Sequence, residues 1–349
     1  MSASELLSLA TGNAHWSGEG SIKLLEQKFK NYYKFPYAVA VPSATLGLLS
    51  LVMAMDAGPG DEIITSSLNI GYSVSPFLFA GCTMVLLPID PYTFEMESGL
   101  VEKAITTKTK AILAADMFGI PHQTHVLKNI ADRHEVLYLA DAAQSFRARI
   151  HEIPASGKSD ALVVSFTSGK TLDVGEGGML LTRDPGLYEQ VLWWTQHPHR
   201  QQKELSRKLQ NTIGINARLN PYIASRALIE WSSSAKKIRH RKYACQSIVT
   251  IINDHDMTEP IRYCTEKISP SFFRLPAIWK HEPKPGKLIA TLHANGADIS
   301  LSNLPFGLLS QNPVLRQQFN QQCRVPFSLA ETENLVRRSF CMIPHEEDV

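Results

Sequence analysis

The stretch "SFTSGKTLDVGEGG", Ser165 to Gly178, holds the residues on which the fold reading turns. Its Gly169-Lys170-Thr171 matches the end of the phosphate-loop pattern G-x-x-x-x-G-K-[ST], in which the lysine is a point charge for phosphates. The first glycine of that pattern would have to stand at position 164, which is Val164. A phosphate loop wraps its backbone N–H groups around the anion in conformations partly open only to glycine. Val164 instead continues the apolar run "ALVVSF" (161–166), which reads as a buried strand. The nucleotide-clamp reading fails on sterics, and Lys170 is left for covalent work.

The surrounding chain places that lysine in an α/β frame. From about residue 37, short β-branched runs alternate with amphipathic stretches, the pattern of a mostly parallel sheet flanked by helices. "YAVAVP" (37–42), "DEIITSS" (61–67), "TMVLLPI" (83–89), "KAILAAD" (110–116), "VLYLAD" (136–141) and "GGMLLT" (177–182) read as further strands. "SATLGLLSLVMAM" (43–55) and "HVLKNIADRHE" (125–135) read as helices. Strands this continuously apolar are covered on both faces. Residues 221–253 predict a long helix that links a large domain, 1–240, to a smaller α+β domain, 241–349. In the latter, 271–279 reads as a strand, 286–296 as a helix, and Ser328 with Glu331 as the capping box of a last helix.

Composition narrows the function classes. The 349 residues are 44% hydrophobic, enough for a large core, and the formal charge is +2. A balance so near neutral argues against nucleic acid or an anionic membrane as partner. "KKIRHRK" (236–242) fits a solvated helix face. The five cysteines, 82, 245, 264, 323 and 341, are scattered and odd in number, as free thiols of a reducing compartment are. The most apolar run, 74–89, is too short to span a bilayer, and no secretory signal opens the chain. A cytoplasmic location is the expectation. The histidines of "HPHR" (197–200) stand at i, i+2, poor spacing for one helix face, so no metal site is expected.

A lysine that bonds covalently to pyridoxal phosphate (PLP) needs two companions: an acid near the pyridine nitrogen and an anion hole for the phosphate. Asp141 ends its strand twenty-nine positions upstream of Lys170. A carboxylate there favours the protonated ring. "PSAT" (42–45) sits between a strand and a helix, where the Ser43 and Thr45 hydroxyls and the N-terminal N–H groups form an anion site. Ser165 offers another hydroxyl. Taken singly, Lys170 could be a solvated lysine, Asp141 a turn cap, and Ser43 and Thr45 ordinary helix N-caps. Their joint order lifts the case.

That order closely resembles the DegT/StrS family of PLP-dependent sugar aminotransferases. The resemblance rests on "GPGDEIITSS" (58–67), "AITTKTKAILAADMFG" (104–119), "LADAAQS" (139–145), "SFTSGKTLDVGEGGM" (165–179) and "GINAR" (214–218). It implies the aspartate-aminotransferase-like fold, with a large PLP domain, a small C-terminal domain and a homodimer. It casts Lys170 as the Schiff-base lysine and Asp141 as the partner of the pyridine nitrogen. Gln144 would sit beside the ring, and Ser43, Ala44, Thr45 and Ser165 would line the phosphate site. Asn216 would reach the neighbouring subunit's cofactor, and Glu176 with its glycines would shape the lysine loop.

Some positions depart from the family's pattern. Its aromatic residue over the ring is Ile70 here, with Tyr72 as a substitute; the histidine after S-F is Thr167, and the A-H-G-A segment reads Ser145-Phe146-Arg147-Ala148. Tyr72 and Thr167, with Arg218 and Arg239 for an anionic group, are the candidates on the substrate side. The function implied is transfer of an amino group from an amino acid, glutamate above all, to a keto-sugar, nucleotide-linked in the first instance. The alternatives are a cyclitol or other specialised carbonyl as acceptor, or a PLP-binding protein with little turnover.

Overall fold

A computed structural model describes residues 3–8, 10, 17–90, 92–205, 207, 209–265, 267–297, 299–305 and 307–344. Helices α1 (Ala3–Ser8) and α2 (Ser21–Tyr33) precede strand β1 (Tyr37–Val41). There follow α3 (Ala44–Ala54), β2 (Glu62–Ser66), α4 (Gly71–Phe79), β3 (Thr83–Leu87), α5 (Ser98–Ala104), β4 (Thr109–Ala115), α6 (Thr124–Arg133) and β5 (Leu137–Asp141). The short β6 (Arg149–Ile150) and β7 (Ile153–Pro154) lead to β8 (Ala161–Ser165) and β9 (Gly178–Thr182). Helices α7 (Pro185–Thr195), α8 (Pro198–Glu204) and the long α9 (Pro221–Asn253) come next. The remainder holds β10 (Ile268–Ser269), β11 (Leu275–Ile278), α10 (Pro285–Ala294), β12 (Ile299–Asn303), α11 (Pro313–Gln318), β13 (Cys323–Arg324), α12 (Ala330–Arg338) and β14 (Ser339–Pro344).

Eight strands form the main sheet in the order β1-β9-β8-β5-β4-β2-β3-β13, and β9 alone runs antiparallel to its neighbours. Alternation along each strand sorts side chains between two layers. Ala38, Ala40, Ile112, Ala114, Tyr138, Ala140, Leu162 and Val164 enter one core, while Val39, Val41, Ala111, Leu113, Leu139, Ala161 and Val163 enter the other. Both faces are therefore dry, which is why these strands read as unbroken apolar runs. A third core lies beneath the antiparallel sheet β11-β14-β12. Helix α9 passes through residue 240 without a break, and β13 returns from the second half to pair with β3. Among the described residues no helix is long and apolar enough to cross a membrane.

Two expectations are corrected. The strand expected over 271–279 forms only at Leu275–Ile278, because 271–274 is drawn into contacts with the first half. The capping box at Ser328 does not form: α12 starts after Leu329, and the Ser328 hydroxyl accepts from the Ala330 N–H instead.

One buried ion pair ties the helical layer to the sheet. Arg200 of α8 grips Glu26 of α2 through two bonds of 2.9 Å, and Glu26 also accepts from the Ala40 N–H of β1 at 2.8 Å. Without Glu26, Arg200 keeps only Glu204, at 2.9 Å, as its carboxylate, and the Ala40 N–H loses its acceptor. Glu26→Ala is expected to lower the unfolding free energy by about 1–3 kcal/mol, read by urea denaturation.

Candidate active site

Parallel strands bring their carboxyl ends to one edge, where open α/β sheets form their ligand crevice. Leu139 to Asp141 of β5 pair with Ala161 to Val163 of β8, so the acid and the segment that leads to Lys170 leave the sheet side by side. Because β9 is antiparallel, Gly178 opens it opposite Ser165, and residues 166–177 form a loop hung over that edge. The loop is held from within. Phe166 donates its N–H to the Gly177 carbonyl at 2.8 Å and Ser168 to that of Gly175 at 3.0 Å. The Asp173 carboxylate accepts from the Gly169 N–H at 2.7 Å. Glu176 accepts from the Thr167 hydroxyl at 3.2 Å, so its contact is with the loop.

Lys170 and Asp141 are brought together. Burial pushes the Lys170 amine down to about 8; Asp141 pulls it back and Arg274 pushes it further down. Burial raises the Asp141 carboxyl above its usual range, against the Ser73 hydroxyl, the Ala143 N–H at 3.0 Å and the charge of Lys170; Asp116 adds to the rise. Ser73 is buried beside this carboxylate. The Lys170 Nζ stands 4.2 Å from the centroid of the Phe273 ring.

The anion side is compact. Gly178 lies against both Val41 and Ser165 in the ladder. A Cβ there would stand 2.7 Å from the Val164 carbonyl oxygen and 2.9 Å from Ala44 N, so only glycine lets β9 approach the start of α3. Ser43 caps that helix by accepting from the Leu46 N–H at 3.1 Å, which leaves its hydroxyl proton to donate. Ala44 is buried, Thr45 is half-buried, and the Ser165 hydroxyl donates to Thr167 Oγ1 at 3.0 Å.

Gln144 is buried, and its side-chain oxygen accepts from the Phe118 N–H at 2.8 Å, which fixes the 3₁₀ turn Met117–Gly119. Ile70 is half-buried and lines a cavity of about 440 Å³ with Pro305, Gly307, Leu308, Leu309 and Pro313. Tyr72 is 74% exposed at the start of α4. Asn216 is exposed and accepts from Arg218 Nε at 2.7 Å; both line a cavity of about 170 Å³ against Trp193 and Trp194, with His197 at its rim. Four residues escaped the sequence reading: Ser73, Asp116, Phe273 and Arg274. The last two lie a hundred positions from Lys170, and nothing in their spacing announces the meeting.

Two outcomes are expected. The neutral amine is the reactive form, so it accumulates as pH rises through the lowered pKa. Acylation of Lys170 by an amine-selective reagent should be half-maximal near pH 8, where its pKa lies, while exposed lysines are still gaining reactivity; peptide mass spectrometry reads both. Gly178→Ala should force β9 and the 43–44 turn apart and lower stability by about 1–3 kcal/mol, measured by thermal unfolding.

A model of the DegT/DnrJ/EryC1/StrS aminotransferase family matches residues 4–348. GDP-perosamine synthase of Caulobacter vibrioides is 33% identical over 162 residues, 46% of this chain and 44% of that protein. The Escherichia coli O157:H7 GDP-perosamine synthase is 30% identical over 171 residues, 49% and 47% of the two chains. The matched region thus spans less than half the length of these relatives. A solved DegT DnrJ EryC1 StrS aminotransferase from Brucella abortus superposes with TM-score 0.82 at 19% identity, over 98% of this chain and 90% of the other. The aminotransferase from Psychrobacter cryohalolentis gives 0.79 at 20% identity, over 97% and 90%.

Proposed function

The chain belongs to the DegT/DnrJ/EryC1/StrS aminotransferase family, and on that premise we propose that it is a PLP-dependent aminotransferase carrying an amino group from an amino acid to a nucleotide-linked keto-sugar. The observation that carries the reading is a lysine whose pKa is lowered to about 8, set over a part-buried aspartate at the carboxyl edge of the sheet. A base must lose its proton near working pH to be useful, and burial brings Lys170 there. The acceptor class follows the GDP-perosamine synthases among the relatives.

The residues fit the cofactor. Asp141 is raised by burial, and a pyridinium N–H placed against it would favour the charged form. The Ser73 hydroxyl beside it offers a further polar contact. Ser43, Thr45 and Ser165, at the start of α3 and the end of β8, would hold the phosphate with help from the helix N-terminus. PLP, when bound, supplies an electron sink for the charge left as the donor's Cα loses its proton.

The chain's own part is proton handling and geometry. Lys170 would hold the cofactor until the donor amine displaces it, then take the donor's Cα proton and return it on the cofactor side of the donor nitrogen. Asp141 would keep the ring nitrogen protonated throughout. Gln144, through its bond to Phe118, keeps the wall of the pocket in place. Phe273, on which the Lys170 amine rests, is the aromatic surface next to the reacting nitrogen, whereas Ile70 is aliphatic.

The reading includes a homodimer in which Asn216 reaches the partner's site. Its support is the exposed Leu209 and Ile213 just before Asn216, and Tyr222 after it, at 74%, 80% and 51% exposure. Exposed apolar side chains so placed on the 209–213 loop and at the start of α9 fit an interaction surface.

Purified protein with PLP should show a visible absorption band, and borohydride should fix the cofactor on Lys170, identified by mass spectrometry. Glutamate should discharge that band, and a nucleotide-linked keto-sugar should restore it. Lys170→Ala should abolish both steps while the protein stays folded. Absence of the band in the wild-type protein would overturn the cofactor reading; a band that no amino acid discharges would overturn transamination.

A further inference from the structure

Lys170 stands between two glycines that have room to move, and one carboxylate holds both. Gly169, at φ 85°, immediately precedes the lysine, and Gly175, at φ 96°, follows it. Both are exposed, and a Cβ added at either would meet nothing within 4 Å, so nothing packs against the outer side of either. Glycine has the widest choice of backbone conformations, so a loop that pivots on two such points drifts unless something ties it. The Asp173 carboxylate spans the pair: Oδ2 accepts from the Gly169 N–H at 2.7 Å, and Oδ1 from the Gly175 N–H at 3.3 Å.

The inner half of the loop is fixed by other means. Phe166, Leu172 and Val174 are buried in one of the two cores that line the main sheet. The Val174 N–H donates to the Phe166 carbonyl at 3.1 Å, and the Lys170 N–H to the Thr167 carbonyl at 3.1 Å. Apolar packing thus secures the residues that follow the lysine, while the exposed peptide that leads into it is secured by the carboxylate. A hydrogen bond to an ionised acceptor is about twice as strong as a neutral one, which suits a tie that burial does not support.

We propose that Asp173 is a positioning residue for Lys170: by tying both glycine hinges with one carboxylate, it sets where the lysine amine stands in the pocket. The proposal rests on the aminotransferase reading given above. In that reaction the amine has two tasks, first bonded to the cofactor and then free to move a proton from the donor's Cα. Proton transfer needs hydrogen-bond reach, and a misplacement of about 1 Å costs on the order of 100-fold in rate. A lysine side chain is long and flexible, so much of that accuracy has to come from the backbone that carries it. Asp173 acts through the loop and not on the reacting atoms.

Two readouts need no cofactor. In Asp173→Ala, amide hydrogen exchange of the peptide covering 166–177 should quicken by about 10- to 100-fold while the rest of the sheet keeps its rate. Lys170 should also gain contact with water, so the pH midpoint of its acylation should rise above the value of about 8 that burial gives it. Loss of a negative charge by itself would move that midpoint down, so the sign separates a loosened loop from an electrostatic effect. With PLP bound, single-turnover discharge of the visible band by glutamate should slow by about 10- to 100-fold with glutamate affinity kept. Glutamate deuterated at Cα should slow the variant more than it slows the wild type, because transfer of that proton becomes the slow step. Asp173→Asn keeps an oxygen for the Gly169 N–H and loses the acceptor for Gly175, so it should recover part of the rate. If Asp173→Ala exchanges faster throughout the sheet, Asp173→Asn is judged by the same criteria. Exchange of the loop at the wild-type rate overturns the proposal, as does an acylation midpoint that stays or falls. So does discharge at wild-type speed with an unchanged isotope effect. A band absent from the wild-type protein would count against the aminotransferase reading instead, and exchange and acylation would still decide whether Asp173 holds the lysine in place.

Discussion

Burial at the carboxyl edge of the sheet acts on Lys170 and Asp141 in opposite directions. Removing water disfavours whichever form is charged, so the amine becomes easier to deprotonate and the carboxyl easier to protonate. Their mutual attraction restrains both shifts, and Arg274 on one side and Asp116 on the other push each a little further. This balance needs the two side chains at one depth in one pocket. The parallel pairing of β5 with β8 provides the proximity. β9, the one strand of the main sheet that runs against its neighbours, then pins the far end of the lysine loop back to the same edge.

Close approach of backbone to backbone is the second requirement. Gly178 lets β9 lie against the start of α3, and Gly119, at φ 84°, lets the 271–274 segment close on the turn after β4. Neither position tolerates a Cβ without displacing main chain. Within the glycine motif Gly178 thus serves packing between segments, whereas Gly175 has open space around it and a φ of 96°, and Glu176 between them bonds the loop through Thr167.

Behind Asp141 lies a buried polar network built on Asp116. Its carboxylate accepts from the Ser145 hydroxyl at 2.5 Å, the Ser156 hydroxyl at 2.8 Å and the His122 N–H at 3.1 Å, with His122 Nδ1 at 3.2 Å. Burial lowers the His122 pKa, but the bond to Asp116 and the charges of Glu95 and Asp116 outweigh it, and the net shift is upward. Ser145 opens the four residues where this chain departs from the family's wording, and its hydroxyl is taken up by this network. Arg147, two residues on, turns away to Trp231 and Ser234 of α9, at a backbone φ of 72°. The departures are thus accommodated by local contacts of their own.

Strand and helix identity in the first half was legible because both faces of the sheet are buried, and that burial writes itself into the sequence as apolar runs of the right length between turn residues. Lys170, Asp141 and the Ser43–Thr45 turn were legible for a related reason, since each sits at a fixed offset from the end of such a strand. The choice between a phosphate clamp and a reactive lysine was likewise local, settled by the missing glycine at Val164. What tertiary structure alone decided is which distant segments complete the pocket. Phe273 and Arg274 sit where a strand seemed to begin, and their role comes from hydrogen bonds to Phe118, Gly119 and Gln144, more than a hundred residues earlier. A sequence displays periodicity and spacing, which are short-range; the pairing of a buried cation with a pocket depends on how separate layers dock, and it leaves no mark on the neighbouring residues.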